Sequence, residues 1–122
     1  MDEINFIVLV AEDDEINFFL LHTWIKNLCT IIHAKDGIQA LEEFKAHPEI
    51  NLIIMDIKMP YMNGIDATKE IRKLNKSIPI IAYTAYVMNY EADLMQEAGC
   101  NEIITKPSKK EDFLEIVQKY KK

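Results

Sequence analysis

Long apolar runs, clustered cysteines and an excess of basic charge are all missing from this chain of 122 residues. Only Cys29 and Cys100 are present, so there is no disulfide framework and no CxxC metal signature, and neither thiol stands in a catalytic context. No apolar run reaches the ~18 residues that a membrane helix needs. The stretch Phe6 to Ala11 is too short for a signal sequence and follows Asp2 and Glu3 instead of basic residues. Lys and Arg total 14 against 20 Asp and Glu, a net charge of −6 that disfavours nonspecific binding to nucleic acid or anionic membrane. His22, His33 and His47 share no metal-ligand spacing, and His33 reads as a core-edge residue. The remainder is ordinary globular composition, 49% apolar and 28% charged. A chain of this length buries roughly two thirds of its unfolded surface, which sustains a core without staples. The expectation is one acidic, cytoplasmic domain over 1–122.

Five short apolar runs punctuate the chain: Phe6 to Ala11, Thr30 to Ala34, Leu52 to Met55, Ile78 to Ala82 and Glu102 to Thr105. Most are continuous rather than alternating, as in strands buried on both faces of a parallel sheet. Helical spacing fills the intervals. Ile16, Leu20, Trp24 and Leu28 recur every four residues and predict the inward stripe of a first helix. Ile38, Leu41 and Phe44 mark a second helix, Ile65, Ile71 and Leu74 a third, Leu94, Met95 and Ala98 a fourth, and Phe113, Leu114 and Val117 a fifth. Ser108 with Glu111 predicts a capping box, and Asp36 with Gln39 a weaker one. Gly99 suits a left-handed helix end, and Asn63-Gly64 a turn before the third helix. Strand and helix alternate throughout, and right-handed crossovers place helices on both faces of one sheet.

Ligands bind such sheets beyond the carboxyl ends of the strands. Glu12, Asp13, Asp14 and Glu15 follow the first run, Asp56 the third, Thr84 and Ala85 the fourth, and Lys106-Pro107 the fifth. Two carboxylates ~5 Å apart at an effective dielectric near 20 repel by about 3 kcal/mol. A cluster of them needs protons or a cation, and oxygen-only donors favour Mg²⁺ over zinc. A carboxylate beside Mg²⁺, with a hydroxyl and a lysine opposite, is equipment for handling a phosphoryl group. Asp56, single and central, is the best-placed nucleophile for an aspartyl-phosphate. Asp14 reads equally as the cap of the first helix.

At these residues the sequence resembles the response-regulator receiver domains of two-component signalling. The matching pieces are Val8 to Asp14, Ile54 to Gly64, Thr84-Ala85 and Lys106-Pro107, in that family's order and spacing. The resemblance implies a flavodoxin-like (βα)5 fold with five parallel strands in order 2-1-3-4-5. It implies Asp56 as phosphoacceptor, with Asp13, Asp56 and the Lys58 carbonyl as Mg²⁺ ligands and Glu12 acting through bound water. Thr84, the Ala85 amide and Lys106 would bind the phosphoryl group, and the Lys106-Pro107 bond is often cis in the family. Glu12 to Asn17 further resembles receivers fused to hybrid histidine kinases. Where the family often carries a switch aromatic, three positions before the lysine, this chain has Ile103, so Tyr83 and Tyr86 become the substitutes to consider. Tyr86 beside the site would hinder water and lengthen the life of the acyl-phosphate.

The expected activity is a signalling switch that catalyses its own phosphorylation and dephosphorylation. Its donor is a histidine kinase or histidine phosphotransfer domain, docking through Phe18 on the first helix and the active-site rim. A dimer formed on phosphorylation is a further expectation, and neither nucleic acid nor membrane is an expected partner. The length leaves no room for an output domain, which suits a stand-alone regulator or a receiver cut from a larger protein. Three other readings compete. A haloacid-dehalogenase-type phosphatase needs an acid two residues after its nucleophile, where this chain has Lys58. A flavin carrier of this fold needs a hydroxyl- and glycine-rich phosphate loop, where this chain has acids. An unphosphorylated interaction module would not need the full residue set.

Overall fold

The structure, a computed structural model, describes residues 6–85 and 88–121. Strands and helices alternate: β1 (Ile7–Ala11), α1 (Glu15–Ile25), β2 (Thr30–Ala34), α2 (Gly37–Ala46), β3 (Leu52–Met55), α3 (Gly64–Leu74), β4 (Ile80–Thr84), α4 (Asn89–Ala98), β5 (Glu102–Thr105) and α5 (Lys110–Lys119). The strands form one parallel sheet in the order β2-β1-β3-β4-β5. This is the flavodoxin-like order that the family resemblance implies.

Alternation along the strands divides the core in two. Leu9, Ile53, Ile80 and Ala82 pack with Ala40 and Phe44 of α2, Ala67 and Ile71 of α3, and Met95 of α4. Val8, Val10, Ile54, Ile81, Tyr83 and Ile104 pack with Leu21 and Ile25 of α1 and with Phe113 and Val117 of α5. The central strands are buried on both faces, which is why their sequences run continuously apolar. β2 lies at an edge, and Thr30 to His33 are correspondingly more open.

Three expectations need correction. β4 begins at Ile80, two residues later than the apolar run, and Thr84 is its last residue rather than the one beyond it. Pro79 has no N–H to give a ladder, whereas Ile80 N–H donates to Asn101 Oδ1 at 2.8 Å and Thr84 pairs with Thr105. On α1 the inward residues are Leu21 and Ile25, while Leu20 is 44% exposed and Ile16 81% exposed. An i,i+4 row advances 40° per step at 100° per residue, so the row Ile16, Leu20, Trp24 winds across the helix surface instead of holding one face, and Leu28 lies beyond the helix end. Apolar side chains surround this helix, and periodicity alone could not select the buried ones. Finally, Ser108 is no cap. Lys109 occupies the N-cap of α5, and Ser108 Oγ instead meets the Tyr83 hydroxyl at 3.2 Å.

Other punctuation falls where the sequence placed it. Asp14 caps α1 by accepting from the Ile16 and Asn17 amides. Asp36 caps α2 through the Gln39 amide, and Asn63 caps α3 through that of Asp66. Gly99 ends α4 at φ 120°, in the left-handed region. Gly64 answers a different need: a Cβ there would lie 2.2 Å from the Asp56 carbonyl oxygen. Its absence lets the start of α3 close against the backbone of Asp56.

Candidate functional site

The carboxyl ends of β1, β3, β4 and β5 meet at one rim, and backbone hydrogen bonds fix each functional residue to the neighbouring strand. Glu12 N–H donates to the Ala34 carbonyl at 2.9 Å, Asp56 N–H to that of Ala11 at 2.9 Å, and Lys106 N–H to that of Thr84 at 2.7 Å. Carboxylate oxygens of Glu12, Asp13 and Asp56 thereby come within 4.8 Å of one another. Glu12 and Asp56 are buried, whereas Asp13 opens to solvent. Lys106 Nζ lies 2.6 Å from Glu12 Oε1 and 3.4 Å from Asp56 Oδ2.

Burial pushes the Glu12 carboxyl up to about 7, aided by the charge on Asp56 and opposed by Lys106 and the Asp14 amide. Burial works against the charge on Lys106, yet bonds and attraction to Glu12 and Asp56 outweigh it and hold its pKa above the usual value. The rim therefore carries more negative charge than one lysine offsets. Its donors are hard carboxylate oxygens on a partly open surface, a set that suits Mg²⁺, which keeps several waters and takes only a few protein ligands.

The other expected residues are placed as follows. Thr84 is buried at the end of β4, and Ala85 follows it at the surface. Lys58 is exposed in the connection from β3 to α3. The Lys106-Pro107 peptide is cis. Ile103 is partly buried against the α2-α3-α4 core. Tyr86 lies outside the described residues. Tyr83 projects to the opposite sheet face from Ile103, where it meets Phe113.

Two features escaped sequence reasoning. His33 Nε2–H donates to the Glu12 carbonyl at 2.9 Å, and the ring stacks on Phe18 with centroids 3.5 Å apart and planes 6° from parallel. Phe18 is consequently half-buried, and the open apolar side chains of α1 are Ile16, Phe19 and Leu20. The second feature is the Tyr83 ring, whose centroid lies 5.5 Å from Lys106 Nζ. Strand alternation could have placed Tyr83 on the α5 face. Its approach to Lys106 depends on how β5 leaves the sheet, which no local pattern encodes.

Comparison with known proteins agrees with this arrangement. The response regulator receiver domain family matches residues 8–118. The chain is 38% identical over 123 residues to the autoinducer 2 sensor kinase/phosphatase LuxQ of Vibrio parahaemolyticus, covering 93% of this chain and 14% of that protein. It spans between 3% and 19% of the length of several of the curated relatives it matches. Among solved structures, it is similar to the receiver domain of the sensor histidine kinase PA1611 of Pseudomonas aeruginosa, which has a magnesium ion in its active-site cleft. The TM-score is 0.88 at 28% identity, covering 97% of this chain and 98% of that one. It is also similar to the Saccharomyces cerevisiae complex of the histidine phosphotransfer protein Ypd1 with the Ssk1 receiver domain, with a TM-score of 0.86 at 26% identity, covering 95% of this chain and 88% of that one. By sequence, fold and rim chemistry together, the chain belongs to the response regulator receiver domains, the phosphoaccepting modules of two-component signalling.

Proposed function

We propose that Asp56 accepts a phosphoryl group from a phospho-histidine donor and that this chain's own rim residues catalyse both the loading and the later hydrolysis. The observation that carries the reading is the convergence of Glu12, Asp13, Asp56 and Lys106 at the strand ends, from segments up to 94 residues apart. An Asp56 oxygen attacks phosphorus in line as the P–N bond breaks, and the imidazole leaves with the electron pair. Lys106 then follows the new phosphoryl oxygens, and the Thr84 hydroxyl and Ala85 amide orient them. Asp13, Asp56 and the Lys58 carbonyl would hold Mg²⁺, with Glu12 acting through bound water. The metal, when bound, neutralises charge on the transferring group.

The donor is a histidine kinase or a histidine phosphotransfer protein, and it docks on α1 beside the rim. Phe18 forms the floor of that surface through its stack on His33, and Ile16, Phe19 and Leu20 supply its exposed apolar area. The setting is cytoplasmic, and the receiver spans 1–122. Among the described residues no helix is long and apolar enough to cross a membrane.

Intact mass after incubation with acetyl phosphate and Mg²⁺ tests the chemistry. The wild-type chain gains one phosphoryl group and Asp56→Ala gains none; a folded wild type that gains none sinks the proposal. The same assay with a phosphorylated histidine phosphotransfer protein tests docking. Phe19→Glu slows that transfer and leaves acetyl phosphate loading unchanged, whereas equal slowing with both donors points to damaged folding.

A further inference from the structure

Lys106 meets both carboxylates and an aromatic face. The carboxylates of Glu12 and Asp56 lie at 2.6 and 3.4 Å from its Nζ, and that atom lies over the Tyr83 ring, 5.5 Å from its centroid. Carboxylates alone leave an ammonium on a four-carbon stem free to pivot among their oxygens. A ring face adds an attraction that persists whichever oxygen is engaged. That persistence matters because loading turns the anionic oxygen of Asp56 into an acyl-phosphate oxygen. The ammonium must then change partners while keeping its place.

The ring is itself fixed. Tyr83 is 4% exposed, its hydroxyl pairs with Ser108 Oγ at 3.2 Å, and it packs on Phe113 with centroids 5.2 Å apart and planes at 51°. Phe113 in turn packs on Trp24 at 5.6 Å. A tyrosine here is thus held by α5 and α1 while its face is turned to the rim cation.

We infer that Tyr83 is a positioning residue for Lys106: its ring seats the ammonium beside Glu12 and Asp56, and Ser108 and Phe113 hold the ring. The inference rests on the proposed role of Lys106 in binding the phosphoryl group. It assigns Tyr83 a task on the α1-α5 side of the sheet, distinct from anything Ile103 does on the other.

The test compares wild type, Tyr83→Phe, Tyr83→Leu and Lys106→Ala. Acetyl phosphate loading with Mg²⁺ is followed by intact mass, and the Lys106 Cε–Hε signals are followed by NMR. In the wild type, the Lys106 Hε protons resonate upfield of those of the exposed lysines, because the ammonium next to them lies over the Tyr83 ring. Tyr83→Leu abolishes that displacement and slows loading about fivefold, the size of a partly desolvated cation–π contact. Tyr83→Phe keeps the ring and its packing on Phe113 but loses the bond to Ser108; it keeps the displacement and slows loading less than Tyr83→Leu does. Loading by Tyr83→Leu at the wild-type rate, or slowing in Tyr83→Phe equal to that in Tyr83→Leu, overturns the inference. So does an undisplaced Lys106 signal in the wild type, which decides the matter even if Tyr83→Leu does not fold. Lys106→Ala separates the two levels. If it loads as fast as wild type, the role given to Lys106 fails; if it fails to load while Tyr83→Leu does not slow, only the role of Tyr83 fails.

Discussion

The two faces of the sheet are built from different materials. On the side of α2, α3 and α4 the buried core is aliphatic and sulfur-rich, with Phe44 as its only buried aromatic among the described residues. Polar contacts lock its helices from outside: the Arg72 guanidinium of α3 donates to the Gly99 carbonyl at 2.8 and 3.1 Å, to the Asn75 carbonyl at 3.1 Å and to Asn101 Oδ1 at 3.0 Å. On the side of α1 and α5, Phe6, Tyr83 and Phe113 are buried, and Phe18, Trp24 and Tyr120 pack against them. The rim draws on both faces. Asp56 is tied to the first side by the close approach of Gly64, and Lys106 to the second by Tyr83. The proposed nucleophile and its cation are therefore supported by separate cores, and a change in their relative position is a change between the two faces.

Matched truncations separate the faces most sharply. Phe113→Ala and Ile71→Ala each empty a fully buried site, one per face. The first costs about 3–5 kcal/mol and the second about 2–5 kcal/mol in urea unfolding. Stability alone does not distinguish them. At a temperature where both remain folded, Phe113→Ala shifts the Lys106 Hε signal, and Ile71→Ala leaves it in place because it disturbs the face that carries Asp56. Equal displacement of that signal in the two would show that the faces act as one body and break the comparison.

Metal addition probes the rim where the faces meet. A ligand that binds only the folded state at about 100 times its Kd stabilises that state by about 2.7 kcal/mol. Mg²⁺ at such a concentration raises the melting temperature of the wild type, and chelation reverses the rise. Asp13→Ala loses the effect, since it removes the exposed member of the carboxylate group without opening either core. A rise in Asp13→Ala equal to that of the wild type would place the cation elsewhere.

Much of this was legible in the sequence because the information was local. Continuous apolar runs gave the strands, and the acids, hydroxyl and lysine at their carboxyl ends gave the rim. What stayed hidden depended on side-chain direction. α1 is apolar on nearly every side, so spacing could not reveal that Leu21 and Ile25 face inward while Leu20 faces out. Ser108 matches a cap pattern, but α5 starts one residue further on, and the hydroxyl meets Tyr83 across 25 positions of sequence. The bond from His33 to the Glu12 carbonyl likewise joins two strand ends whose proximity only the sheet order creates.

The smallest expected effect lies at the far end of the aromatic face, where α5 is tied back to β5. The Tyr120 hydroxyl donates to the Glu102 carboxylate, and Lys119 Nζ lies 2.9 Å from the same oxygen. The bond from Tyr120 holds the Glu102 carboxyl below its ordinary value, against some opposition from burial, and Lys119 adds to the lowering. Burial, then the bond to Glu102, pushes the Tyr120 hydroxyl up to about 12. The two shifts act at opposite ends of the pH scale. A depressed carboxyl contributes stability above its unfolded pKa, near 4.5, and loses it as pH falls through the lower folded value. A raised phenol contributes stability below its unfolded pKa, near 10.0, and loses it as pH rises through about 12. Tyr120→Phe should therefore lower stability by about 1 kcal/mol at neutral pH, the worth of one partly solvated hydrogen bond. Its deficit relative to the wild type should shrink in strong acid and again in strong base. Paired thermal melts of the two chains across pH measure that deficit directly. A deficit independent of pH would mean that Tyr120 holds α5 by packing alone, and the aromatic face would then be apolar in its energetics from the rim to its far end.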